Sequence, residues 1–153
     1  MKAYRAEWEL ADHPAEAVAV LRDRLKPAKA ADATTVRALV AKLDAAEFAE
    51  REAASKALRN LGEAAVPALR QALKGELSAE QRRLVEEVLA AVTAPAVLAG
   101  DSLREVRVID VLERAATPDA RKLLAELAAG NSEARLTKEA AAASARARRV
   151  SQE

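Results

Sequence analysis

Arg51-Glu52-Ala53-Ala54-Ser55-Lys56-Ala57-Leu58-Arg59-Asn60-Leu61-Gly62-Glu63-Ala64-Ala65-Val66-Pro67-Ala68-Leu69 decides the fold. Ala54, Ala57, Leu58 and Leu61 recur at the i, i+3, i+4, i+7 spacing that gathers one apolar stripe on one side of an α-helix. Gly62 then supplies a stop of the kind that closes many helices. Val66, Leu69 and Leu73 begin a second stripe, and Pro67 falls in its first turn, where a missing N–H has no intrahelical partner to lose. Neither short stripe is stable alone in water, so the segment predicts two helices, a tight break and a neighbour for each apolar face.

The same layout recurs outward from this segment. In Tyr4 to Leu25, Val18, Leu21 and Leu25 align without gaps on Val66, Leu69 and Leu73; in Val108 to Leu127, Leu123 and Leu127 align on Leu69 and Leu73. The spacing is near the ~40 to 47 residues of HEAT-type helix pairs, stretched by loops. Further helices are expected at about Lys2 to Ala11, at about Pro14 to Leu25, and around the stripe Val36, Leu39, Val40 and Leu43. Ser78-x-x-Gln81 and Ser102-x-x-Glu105 match the capping box and are expected to open two more. The second of these carries Val106, Val108, Ile109, Val111 and Leu112 and reads as the most buried helix. Thr117-Pro118 pairs an N-cap with a first-turn proline and opens a helix ending at Gly130. From about Ser132 to Arg149 the chain is alanine-rich, with Leu136 and Val150 its only large aliphatics, so its docking face is thin. The expectation is an all-α protein, a right-handed α-solenoid of about nine helices in one domain over 1–153, with a loosely docked last helix and tail at 132–153. On that footing Leu112→Ala should destabilise more than Leu136→Ala.

Composition agrees. The chain has 153 residues, 51% of them hydrophobic but only 2% aromatic. Its core must therefore come from Ala, Leu and Val, which favours close helix contacts over sheets. Lys plus Arg total 25 against 24 Asp plus Glu, for a net charge of +1, without the basic excess of a nucleic-acid-binding domain. The absence of Cys removes disulfides, thiolate zinc sites and cysteine nucleophiles, and fits a cytoplasmic setting. Met1 to Leu10 carries Lys2, Arg5, Glu7 and Glu9, so it cannot be the apolar core of a signal peptide, and no apolar run approaches the ~18 residues of a membrane span. A soluble monomer without a cofactor is expected.

Spaced motifs carry a resemblance: Tyr4-Arg5-Ala6, Leu21-Arg22-x-Arg24-Leu25-x-Pro27, Phe48-x-x-Arg51-Glu52, Leu112-Glu113, Thr117-Pro118-x-Ala120-Arg121 and Leu136-Thr137-x-Glu139-Ala140. With the Leu-Gly break and the Val-Pro-x-Leu second helix, they resemble the HEAT-like domain that follows WD-repeat propellers in many bacterial multidomain proteins. The resemblance covers nearly the whole chain and implies a solenoid without assigned chemistry. Relatives carry more chain upstream of the Tyr-Arg-Ala element, which implies an excised domain. Ala142 to Ala145 stand where larger apolar residues belong, which implies the loosely docked last helix.

Candidate chemistry is sparse. His13 is the only histidine and immediately precedes Pro14 in an expected turn, which explains it without a Ser-His-Asp relay. Carboxylates are plentiful, but Glu47 and Arg51, Glu52 and Lys56, Asp110 and Arg114, and Lys122 and Glu126 are spaced as helix-surface pairs worth ~0.2 to 0.5 kcal/mol each. Trp8 could stack on a base, as in HEAT-like DNA glycosylases, but its place in the first helix suits capping the apolar end of the array. Arg82 and Arg83, and Arg146, Arg148 and Arg149, are the densest basic spots; Glu86 and Glu87 lie four residues beyond the first pair, and the second set complements a helix C-terminus. The leading expectation is a non-enzymatic scaffold that binds another protein. A connector beside a propeller is the first alternative, and a nucleic-acid-binding or base-excising protein the second. No catalytic, cofactor or metal residues are expected, nor a membrane partner.

Overall fold

The computed structural model describes residues 14–94 and 100–150. Among them there is no strand; they form eight α-helices: α1 (Pro14–Arg24), α2 (Ala33–Lys42), α3 (Phe48–Leu61), α4 (Val66–Ala72), α5 (Ala79–Thr93), α6 (Gly100–Ala115), α7 (Pro118–Ala128) and α8 (Arg135–Val150). A 3-10 turn, Gly62–Ala65, joins α3 to α4. The remaining expected helix, at about Lys2 to Ala11, lies outside the described residues.

Local chemistry sets most of the boundaries. α3 ends where Gly62 takes a φ of +55° and its N–H bonds the Arg59 carbonyl. The backbone then tightens into the 3-10 turn before Pro67 enters the first turn of α4, which begins at Val66, the first residue of its apolar stripe. Asp32 caps α2, its carboxylate accepting from the Thr35 amide at 2.7 Å and the Thr35 hydroxyl at 2.9 Å. Those two bonds hold its carboxyl below the ordinary carboxylate range. Ser78 closes both halves of a capping box, accepting from the Gln81 amide at 3.1 Å while its own N–H donates to Gln81 Oε1 at 3.0 Å. The second expected box is corrected: α6 begins at Gly100, so Ser102 sits inside its first turn instead of ahead of it.

Between α6 and α7 the chain reverses through Ala116, which has a φ of +51°, and Thr117, whose hydroxyl accepts from the Ala120 amide at 3.2 Å. A residue with a Cβ in this left-handed region costs roughly 1–2 kcal/mol, whereas glycine adopts it freely. Ala116→Gly is therefore expected to stabilise the protein by about 0.5 to 1 kcal/mol after the greater unfolded-state entropy of glycine is subtracted. A rise in the urea midpoint at unchanged slope would report it, and a fall would show that the Ala116 Cβ packs usefully.

The chain divides into two compact units, one formed by Met1–Ala28 with Val97–Glu153, the other by Lys29–Ala96. In the second unit α2 packs on α3, α4 and α5, and α3 packs on α5. Its core is Val36, Val40, Leu43, Leu58, Leu69, Val85 and Val88, with alanines between them. In the first unit α7 contributes Leu123, Leu124 and Leu127, α6 contributes Ile109, Val111 and Leu112, and α1 adds Val18 and Leu21. α1 lies against α6 and α7, partners from the far end of the chain. Within this unit α1 therefore packs on helices that are not its neighbours in sequence.

α8 covers 135–150 of the stretch expected to dock loosely; 151–153 lie outside the described residues. Leu136, Ala140 and Ala143, spaced i, i+4 and i+7, are buried in the first unit's core, and α8 packs extensively on α7 and also on α6. Small side chains let helix axes approach closely, so alanines can fill a docking face when the neighbours supply the bulk. The turn before α8 is pinned as well: the Asn131 amide donates to the Ala28 carbonyl at 2.7 Å.

Candidate interaction surfaces

The arginines singled out from the sequence fall on separate compact units: Arg82 and Arg83 on α5, Arg146, Arg148 and Arg149 near the end of α8. Trp8 and His13 lie outside the described residues.

Most of these arginines are engaged within the fold. Arg82 Nη1 donates to the Leu73 carbonyl at 3.0 Å, satisfying an otherwise open acceptor at the end of α4. Arg83 lies between Glu80 and Glu87, with bonds of 2.6 and 3.0 Å to Glu80 and a further close bond to Glu87. The hydrogen bond to Glu80 leads in holding the Arg83 proton more tightly than usual, and the same bond lowers the Glu80 carboxyl. Arg146 forms a two-pronged bond to Glu113, Nε to Oε1 and Nη2 to Oε2, both at 2.7 Å, tying α8 to α6. Glu113 is lowered chiefly by that bond. Arg148 is exposed and donates from Nε to the Ser144 carbonyl at 3.2 Å; Arg149 is exposed at the helix end.

Asp32, Glu80 and Glu113 are all lowered, the direction given by donors and cations and opposite to the raised carboxyl a general acid needs. Among the described residues no group of three or more His, Asp or Glu could hold a metal ion. No described helix is long and apolar enough to cross a membrane. Members of two expected helix-surface pairs have other partners: Glu126 stands 3.9 Å from Arg22 on α1, and Arg51 reaches back to the Ala45 and Ala46 carbonyls ahead of α3.

Grooves run along several helix pairs of the described residues. Within the second unit, a groove of about 640 Å³ runs along α2 and α4 beside Arg37, Gln71 and Glu76. On the same unit, a groove of about 490 Å³ lies along α3 and α5, lined by Phe48, Arg51, Lys56, Arg59, Glu80 and Arg83. In the first unit, a groove of about 630 Å³ lies along α7 and α8, walled by alanines over Leu124, with Arg121 and Arg148 as its charged residues.

Phe48, the chain's only phenylalanine, is 69% exposed at the start of α3. The Arg51 guanidinium stands 5.7 Å from its ring centroid, a cation–π distance, and Arg51 Nη1 also donates to the carbonyls of Ala45 and Ala46 at 2.8 and 2.9 Å. The ring is thus presented on a fixed support. No family model, curated protein or solved structure matches this chain.

The motifs behind the family resemblance sort by position. Leu21, Leu112, Ala120, Leu136, Thr137 and Ala140 are buried, and Thr117 is a cap, so these positions build the fold. Phe48, Arg51 and Arg121 instead line grooves. Sequence reasoning weighed Trp8 and the arginine clusters and passed over Phe48. The available signal was its position: an aromatic at the start of α3, outside the stripe Ala54, Ala57, Leu58 and Leu61, has no place on the buried face.

Proposed function

We propose that this chain is a non-enzymatic, HEAT-like helical scaffold that binds another protein through the α3–α5 groove around Phe48. The observation that carries the reading is the exposure of Phe48 on the guanidinium of Arg51. An exposed phenylalanine forgoes about 1.5–3 kcal/mol that burial would provide, and a partner that covers it recovers that energy. Aromatic and arginine side chains on rigid supports are the groups that dominate protein interfaces, because little rotamer freedom is lost on binding. Lys56 and Arg59 beside Glu52 make the surrounding rim mixed in charge, which suits a protein better than a uniform phosphate backbone. The engagement of Arg82, Arg83 and Arg146 within the fold weakens the nucleic-acid alternative.

The test is quantitative capture from a source-cell lysate with and without nuclease, comparing the wild type with Phe48→Ala and with Val20→Ala. Val20 is an exposed apolar control, 51% exposed on α1. The expected result is a saturable protein partner that survives nuclease, weakened about tenfold or more by Phe48→Ala and unchanged by Val20→Ala. Both variants should keep stability within about 0.5 kcal/mol. Loss of the partner on nuclease treatment, equal capture by Phe48→Ala, or no partner at all overturns the reading; the last outcome favours the connector.

A further inference from the structure

We propose that the α7–α8 groove is a second docking site, one that receives an amphipathic helix of a partner protein bearing carboxylates at one end. This goes beyond the Phe48 surface, which belongs to the other compact unit, and stands or falls separately from it.

The groove's walls are Ala125, Ala128, Ala141 and Ala147, with Leu124 beneath, so its long dimension is apolar. Arg121 and Arg148 are its charged lining residues, and both are exposed. They come from the first turn of α7 and the last turns of α8. The two helices are joined by a short turn at their other ends, so both arginines stand at the groove's open end. The other two grooves carry Glu76, or Glu52 and Glu80, among their cations; this one holds charge of a single sign, at one end of an apolar floor.

That polarity selects the occupant. An apolar stripe ending in Asp or Glu complements alanine walls closed by two guanidiniums, which accept carboxylates in a two-pronged geometry. Arg146 shows this chemistry two residues before Arg148 on α8, where its guanidinium, turned toward α6, already grips Glu113 through two bonds. Helical form follows from the backbone: two helices offer a partner no free edge of N–H and C=O groups, so an added strand would leave its own unpaired, whereas a helix satisfies them internally. Alanine on both walls admits a third helix at close range.

The probe is a displayed library of helical peptides with a fixed apolar stripe and randomised ends, selected on the full-length protein. Peptides with Asp or Glu concentrated at one end should be enriched. Their affinity should fall at least about tenfold on Ala125→Trp, which fills the groove from an exposed position, and should be unchanged on Phe48→Ala. Selection on the double variant Arg121→Glu, Arg148→Glu should reverse the preference to Lys and Arg. Enrichment without acidic bias, failure of the reversal, indifference to Ala125→Trp, or no enriched peptide overturns the proposal, while the Phe48 reading is judged by its own capture experiment.

Discussion

Leu112→Ala is expected to destabilise the protein by about 2 to 5 kcal/mol, a large part of the margin of a typical single domain. Leu112 is fully buried in a core to which α1, α6, α7 and α8 all contribute: Val18 and Leu21, Ile109, Leu123 and Leu127, and Leu136. Removing its side chain forfeits the transfer energy of the lost carbons and leaves a cavity. That cavity closes poorly because α6 is held by packing on both α7 and α8 and by the Glu113–Arg146 bond. Leu136→Ala, expected from sequence to cost clearly less, should cost about 2 kcal/mol, because Leu136 is only 7% exposed and belongs to the same cluster. Urea denaturation gives the ranking. Amide exchange gives the location: protection should fall around Leu123 and Leu127 more than around Val85 and Val88, which belong to the other unit's core. A Leu112→Ala loss below about 1 kcal/mol would mean that the first unit repacks freely around α6.

The helices were legible in the sequence because their signals are local. A stripe such as Val36 and Val40, a capping box such as Ser78 to Gln81, or the pair Thr117-Pro118 is complete within a few residues, and each recurs in the structure. What depends on distant partners was not legible. The alanines of α8 read as a thin docking face because propensity scales weigh each side chain alone; their burial comes from Leu123, Leu124 and Leu127 on the facing helix. Nor could spacing reveal that α1 packs on α6 and α7, since no periodicity encodes which stripe meets which. The candidate site failed for a related reason. Arg82 and Arg146 read as surface charge because their acceptors, the Leu73 carbonyl and Glu113, are brought near only by folding. Phe48 emerged as a surface group only once the buried stripe of α3 had been assigned to other residues.

Gly130→Ala is the second substitution with a large expected effect, and its cause is steric. A Cβ built on Gly130 would lie 2.8 Å from Thr137 Oγ1 and 2.9 Å from both the amide nitrogen and the carbonyl oxygen of Ala28. Thr137 is itself buried, and the other two atoms are backbone, so no flexible side chain can swing aside. Relief requires the backbone at Ala28 to move off the turn between α7 and α8, which breaks the Asn131 to Ala28 hydrogen bond. Overpacking of this kind costs about 1–3 kcal/mol and the lost bond about 0.5–1.5 more, against roughly 0.4–1 regained from the stiffer unfolded chain. A net loss of about 2 kcal/mol is expected. Gly75→Ala is the matched control: its Cβ would meet only the Ala72 carbonyl, at an ordinary 3.4 Å, so the entropy gain should leave it neutral or slightly stabilising. Equal denaturation midpoints for the two variants would show that Ala28 does not pass as close to Gly130 as described, and would remove the tie that holds the end of α1's following segment against the α7–α8 turn. Distinct midpoints in the expected order would make Gly130 a position where the absence of a side chain is itself the structural requirement.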